Sequence, residues 1–107
     1  RNMAPPLPFE SLRNIVRYFP APTSCYLLDP SFEPDMKGRD PEWPDPDPEN
    51  TKIFEELQGM RDEGLVEPEG AKHMYYAAIN RRGCILTPDG KYYWRLANMK
   101  KFGVVDS

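Results

Sequence analysis

Proline sets the strongest limit on this chain. It supplies 13 of 107 residues, well above the usual share of roughly 5 %, and most of it lies before residue 50. Pro20, Pro22, Pro30, Pro34, Pro41, Pro44 and Pro46 leave no room for a regular helix between residues 20 and 47, because each lacks an amide donor and its ring clashes with the preceding turn. That stretch is expected to be a long, acidic, irregular loop. Helices must come from residues 9–19 and from residue 48 onward. Phe32 and Trp43 are the expected anchors of the loop, and Cys25-Tyr26-Leu27-Leu28 is short and apolar enough for an edge strand or a buried loop segment.

In residues 9–19, Leu12, Ile15, Val16 and Phe19 form one helical stripe. Pro8 fits the entry and Pro20 the stop. The second helix spans 48–63. Asp47 is placed to cap it, Pro48 to open it and Glu49 to complement its dipole. Ile53, Phe54, Leu57 and Met60 make its apolar stripe. Gly64 then suits a left-handed stop, with Leu65 reaching back to Met60 in a Schellman arrangement.

Further on, Leu65-Val66-Glu67 reads as a very short strand and His73–Ile79 as a longer one. Asn80-Arg81-Arg82-Gly83 fits a type I turn. Cys84-Ile85-Leu86 would return as the partner of 73–79, making a β-hairpin with two arginines at its tip. Thr87-Pro88-Asp89-Gly90 fits either a helix start or a tight turn. The helix formers of Arg95–Lys101 and the stop at Gly103 favour a helix, with Tyr92, Leu96 and Met99 as its apolar stripe.

Size and composition fit one α+β domain of two to three helices, a hairpin and a long Pro-rich acidic loop. No apolar run is long enough to span a membrane. Two cysteines, Cys25 and Cys84, are too few for a disulfide scaffold, so a cytoplasmic protein is expected. His73 is the only histidine, and neither cysteine sits in a CxxC, so no metal site and no cofactor are expected. Without a nucleophile placed beside His73, and without a Gly-rich phosphate loop, catalytic residues are expected to be absent and the protein is read as a binder, not an enzyme.

The net charge of -3 hides an asymmetry. Residues 1–70 carry 7 Lys/Arg against 15 Asp/Glu, and residues 71–107 carry 7 against 2. Arg81, Arg82, Lys91, Arg95, Lys100 and Lys101 are the candidate nucleic-acid contacts. Tyr75, Tyr76, Tyr92, Tyr93 and Trp94 could supply stacking faces, or serve the core. Trp43, Tyr75 and Tyr93 are the candidate contacts for a protein partner, or for a second copy of the chain, with the acidic loop beside them.

Two motifs, Glu63-Gly64-Leu65-Val66 and Leu86-Thr87-Pro88-Asp89-Gly90, give residues 48–102 a resemblance to the winged-helix domain. In that family a recognition helix ends in the first motif, enters a β-hairpin wing, and leaves it through the second into another helix. The resemblance implies a winged-helix fold that binds DNA or RNA, often in transcription control. The helix in the recognition position departs from the pattern. It carries Glu49, Glu55, Glu56, Asp62 and Glu63 against Lys52 and Arg61, whereas DNA-reading helices place cations near phosphates. Winged helices also serve as protein-interaction modules, so the fold alone leaves a homodimer or accessory role open.

Overall fold

The computed structural model describes residues 9–35 and 38–103, with the backbone alone for 100–103. The chain runs α1 (Phe9–Tyr18), β1 (Cys25–Leu27), a 3₁₀ turn (Pro30–Phe32), α2 (Pro48–Asp62), β2 (Val66–Glu69), α3 (Met74–Ile79), β3 (Gly83–Leu86) and α4 (Pro88–Gly103). The described residues form a small α+β domain: four α-helices and one three-stranded antiparallel sheet of order β1-β3-β2.

The two expected helices form as their patterns require. Ile15 and Phe19 are fully buried, with Leu12 and Val16 packed beside them. Phe54, Leu57 and Met60 are buried on α2. The Asp47 carboxylate accepts from the amides of Glu49 at 2.9 Å and Asn50 at 3.3 Å. At the other end Leu65 N–H donates to Met60 O and Gly64 N–H to Arg61 O, both at 2.9 Å, and Gly64 has φ +80°. This is the Schellman stop that Gly64 calls for.

The hairpin is where the structure departs from expectation. Residues 73–79 are not a strand; Met74–Ile79 is α3. Met74, Ala77 and Ala78 are its buried side chains, spaced as one helical face. The partner of β3 is β2, with Val66 opposite Leu86 and Glu69 opposite Gly83. The link between these antiparallel strands is therefore a helix-bearing excursion over residues 70–82, not a tight turn. β1 joins the other side of β3, so of the two options for residues 25–28 the edge strand forms.

Residues 88–103 are helical, as the Thr87-Pro88 start favours. The Gly90 amide donates to Thr87 Oγ1 at 3.0 Å and Lys91 N–H to Thr87 O at 2.8 Å. Which face is buried differs from the periodicity. Tyr92, Leu96 and Met99 are exposed, at 59 %, 38 % and 66 %. Gly90 and Ala97 are buried instead, with Tyr93 and Trp94 packed on the core. Small residues let α4 lie close: a Cβ at Gly90 would come within 2.0 Å of the Leu65 carbonyl oxygen. The Trp94 indole N–H donates to Phe19 O at 2.6 Å, which fixes α4 on the end of α1.

Arg39 organises the long loop. Its Nη1 donates to the carbonyl oxygens of Glu33 at 2.9 Å and Asp35 at 3.2 Å. Its Nη2 donates to those of Pro30 at 2.6 Å and Pro44 at 2.8 Å. The guanidinium also lies over Trp43, 5.6 Å from the ring centroid. Phe32 enters the core as expected, whereas Trp43 is half-buried and holds the loop through Arg39.

Candidate nucleic-acid interface

Sequence makes the α3 excursion basic and free of acids. From Gly70 to Pro88 there is no Asp or Glu, yet Lys72, His73, Arg81 and Arg82 all fall there. α3 is only one and a half turns long, and its Met74, Ala77 and Ala78 face inward. Tyr75 and Tyr76 must then point away from the core. They are exposed, edge to face, with ring centroids 5.2 Å apart. His73, also exposed, has its ring centroid 6.1 Å from that of Tyr76.

Arg81 and Arg82 follow directly. They are not a β-turn tip but the stop of α3. Arg82 N–H donates to Ala77 O at 2.8 Å and Arg81 N–H to Ala78 O at 3.1 Å, a second Schellman arrangement. Arg81 occupies its left-handed position with φ +57°, and no other non-glycine among the described residues has a positive φ. A side chain there costs about 1 kcal/mol relative to glycine. Arg81 and Arg82 are exposed, and neither has an ion-pair partner among the described residues.

Arg82 also closes the base of the excursion. A Cβ at Gly70 would meet Arg82 Nη1 at 2.5 Å, so this side chain lies across Gly70, whose φ is +73°. From the other side, Arg61 Nη2 on α2 donates to Lys72 O at 3.2 Å. The result is a lobe built on α3, with cations at its base and both tyrosine rings outside.

The remaining candidates lie elsewhere. Arg82 precedes β3 and Lys91 follows it, so they sit off opposite ends of a strand rising roughly 10 Å. Lys91 is half-buried in the first turn of α4 and Arg95 is exposed on the same helix. The side chains of Lys100 and Lys101 lie outside the described residues. Tyr75 belongs to the lobe, Tyr93 packs against the core, and Trp43 belongs to the Arg39 clamp. Sequence reasoning missed Lys72 and the clamp. The acid-free run 70–88 was the available signal for the first.

Both cysteine thiols hold their protons more tightly than usual. Burial and then the hydrogen bond to Glu69 push Cys25 up to about 11, and burial and then the nearby Cys25 push Cys84 up to about 12. No group of three or more metal-ligating side chains is found among the described residues. None of the described helices is long and apolar enough to cross a membrane. Compared with family models, curated proteins and solved structures, the chain matches none.

Proposed function

We propose that this domain binds nucleic acid, with the α3 lobe as its contact surface and single strands as its preferred form. It works by binding and not by catalysis. Arg81 carries the reading. A charged, exposed side chain is kept in a left-handed position where glycine fits without strain, and strain held at an exposed site points to use. Tyr75 and Tyr76 beside it offer the open ring faces on which bases stack, and Lys72 and Arg82 offer phosphate contacts. The acidic face of α2 disfavours insertion of that helix into a duplex groove.

In this reading the domain is a winged-helix variant whose wing has become a helix-bearing lobe. The helix–strand–excursion–strand–helix order of residues 48–103 supports it, as does the meeting of its two motifs. Thr87 Oγ1 donates to Gly64 O at 2.5 Å, and Thr87 N–H donates to Leu65 O at 3.0 Å. Fluorescence anisotropy with labelled single-stranded and duplex oligonucleotides at low salt tests the function. Arg81→Ala combined with Arg82→Ala should weaken binding and flatten its salt dependence by about two charges. A wild-type protein that retains no oligonucleotide at low salt overturns it.

A second reading rests on a different observation, the exposed stripe of Tyr92, Leu96 and Met99 on α4. A second copy laid antiparallel across it sets Tyr92 against Met99, so one apolar stripe covers the other. This reading makes the domain a homodimeric interaction module. Light scattering across a concentration series distinguishes it: Leu96→Glu should abolish the dimer, and a wild-type monomer at all concentrations rejects it.

A further inference from the structure

We propose that the groove between α1 and α2 is a binding site for an organic cation carrying a guanidinium or ammonium group. The site lies on other elements than the α3 lobe and does not rest on the nucleic-acid reading. Its cavity is about 230 Å³, below the roughly 300–1,000 Å³ of pockets for drug-sized ligands. It suits one small charged group and not a nucleotide cofactor. Glu10, Ser11 and Asn14 of α1 line it, facing Glu56 and Gly59 of α2 and Glu63 at that helix's end.

Gly59 opens the space, since a Cβ there would touch nothing within 4 Å. The wall is rich in acceptors and poor in donors. Glu63 accepts one bond from Ser11 Oγ at 2.8 Å, Glu56 accepts one from the Tyr18 hydroxyl, and Glu10 faces Arg13 at 3.8 Å. Each carboxylate has about four acceptor sites, so most of this capacity is left to solvent or to a ligand. No Lys or Arg lines the cavity. The Tyr18 hydroxyl beside Glu56 is pushed up to about 12, by burial first and then by its bond to Glu56 and that group's charge.

Asn14 supplies the second, independent observation. It is 4 % exposed, it lines the cavity, and its Oδ1 has no hydrogen-bond donor among the described residues. A buried amide oxygen without a partner is costly unless something else satisfies it. Three carboxylates and an unpaired amide oxygen call for a ligand that only donates and is positively charged. Guanidinium, with five N–H groups in a plane, and ammonium, with three, are the groups of that kind. The carboxylates are not grouped as metal ligands are, so the arrangement does not suit a metal ion.

The test is an NMR titration of the ¹⁵N-labelled chain with agmatine, with putrescine and with the capped peptide acetyl-Gly-Arg-Gly-amide. The expected result is a saturable shift of the Asn14 side-chain amide and the Gly59 N–H with at least one of them. Response to the peptide alone identifies the ligand as a protein side chain, and response to the free amines identifies a small metabolite. Glu63→Gln, an exposed change that leaves the fold in place, should weaken binding roughly tenfold. Asn14→Leu should also remove binding. Absence of a saturable shift with all three probes overturns the proposal, as does unchanged affinity in Glu63→Gln.

Discussion

Gly64 and Arg81 hold the same position in two helix stops of the same design. Each is the left-handed residue of a Schellman arrangement, Gly64 at φ +80° after α2 and Arg81 at φ +57° after α3. Gly64 incurs no Cβ strain there; Arg81 does. Arg81→Gly is therefore expected to stabilise the domain by about 0.5–1 kcal/mol. In the nucleic-acid reading the same change weakens oligonucleotide binding. Urea denaturation beside anisotropy checks both, and a change that destabilises the fold would show that the Arg81 side chain makes contacts worth more than its strain.

Gly90 and Gly59 should respond in opposite ways to alanine. A Cβ on Gly90 would sit 2.0 Å from Leu65 O and 3.0 Å from Leu65 C, both backbone atoms that cannot swing aside. Gly90→Ala is expected to cost about 2–4 kcal/mol by pushing α4 off β2 and β3. Gly59, inside α2, meets nothing within 4 Å. Gly59→Ala should gain about 0.5–1 kcal/mol through helix propensity. Denaturation midpoints of the pair, measured under one set of conditions, decide the matter.

These two glycines also show how far the sequence could be read. α2 was legible because cap, opening proline, stripe and stop all lie within adjacent residues and agree. β1 was legible only as one of two options, an edge strand or a buried loop segment, because three residues are too few to show a period. α3 was not, because Tyr75, Tyr76 and Ile79 have strand-like chemistry and the deciding face, Met74, Ala77 and Ala78, is small and unassuming. On α4 the eye follows Tyr92, Leu96 and Met99, but close approach selects Gly90 and Ala97. Arg81 and Arg82 are neighbours in the chain and could be paired by inspection. The Arg39 clamp and the Asn14 groove depend on contacts that only the folded chain creates.

Arg39 gives a local prediction. Its guanidinium bonds four carbonyl oxygens between Pro30 and Pro44, in a segment that has few backbone hydrogen bonds of its own. Arg39→Met keeps an unbranched apolar stem and removes the donors together with the guanidinium over Trp43. The expected loss is about 1–3 kcal/mol, concentrated in the loop. Hydrogen exchange or limited proteolysis should show residues 33–47 opening while α1, α2 and the sheet keep their protection. A uniform change across the domain would instead mean that the loop and core unfold together.

Alkaline pH tests the sheet. Cys84 is pushed up to about 12 by its burial and then by the neighbouring Cys25, and burial and its Glu56 bond push Tyr18 up to about 12 as well. Each group holds its proton more tightly in the folded state than in the unfolded chain, where Cys titrates near 9 and Tyr near 10. Stability is then fully present below about pH 9 and falls as pH rises through the folded values. Cys84→Ala should flatten the first part of that fall, and Tyr18→Phe the second. Cys25, although exposed, should alkylate slowly at pH 8, because burial and its bond to Glu69 push it up to about 11. Glu69→Gln removes the acceptor's charge and should speed that reaction. Iodoacetamide rates against pH, read by mass spectrometry, check it, and a Cys25 that alkylates as fast as a free thiol in the native protein would show that the Glu69 contact does not hold in solution.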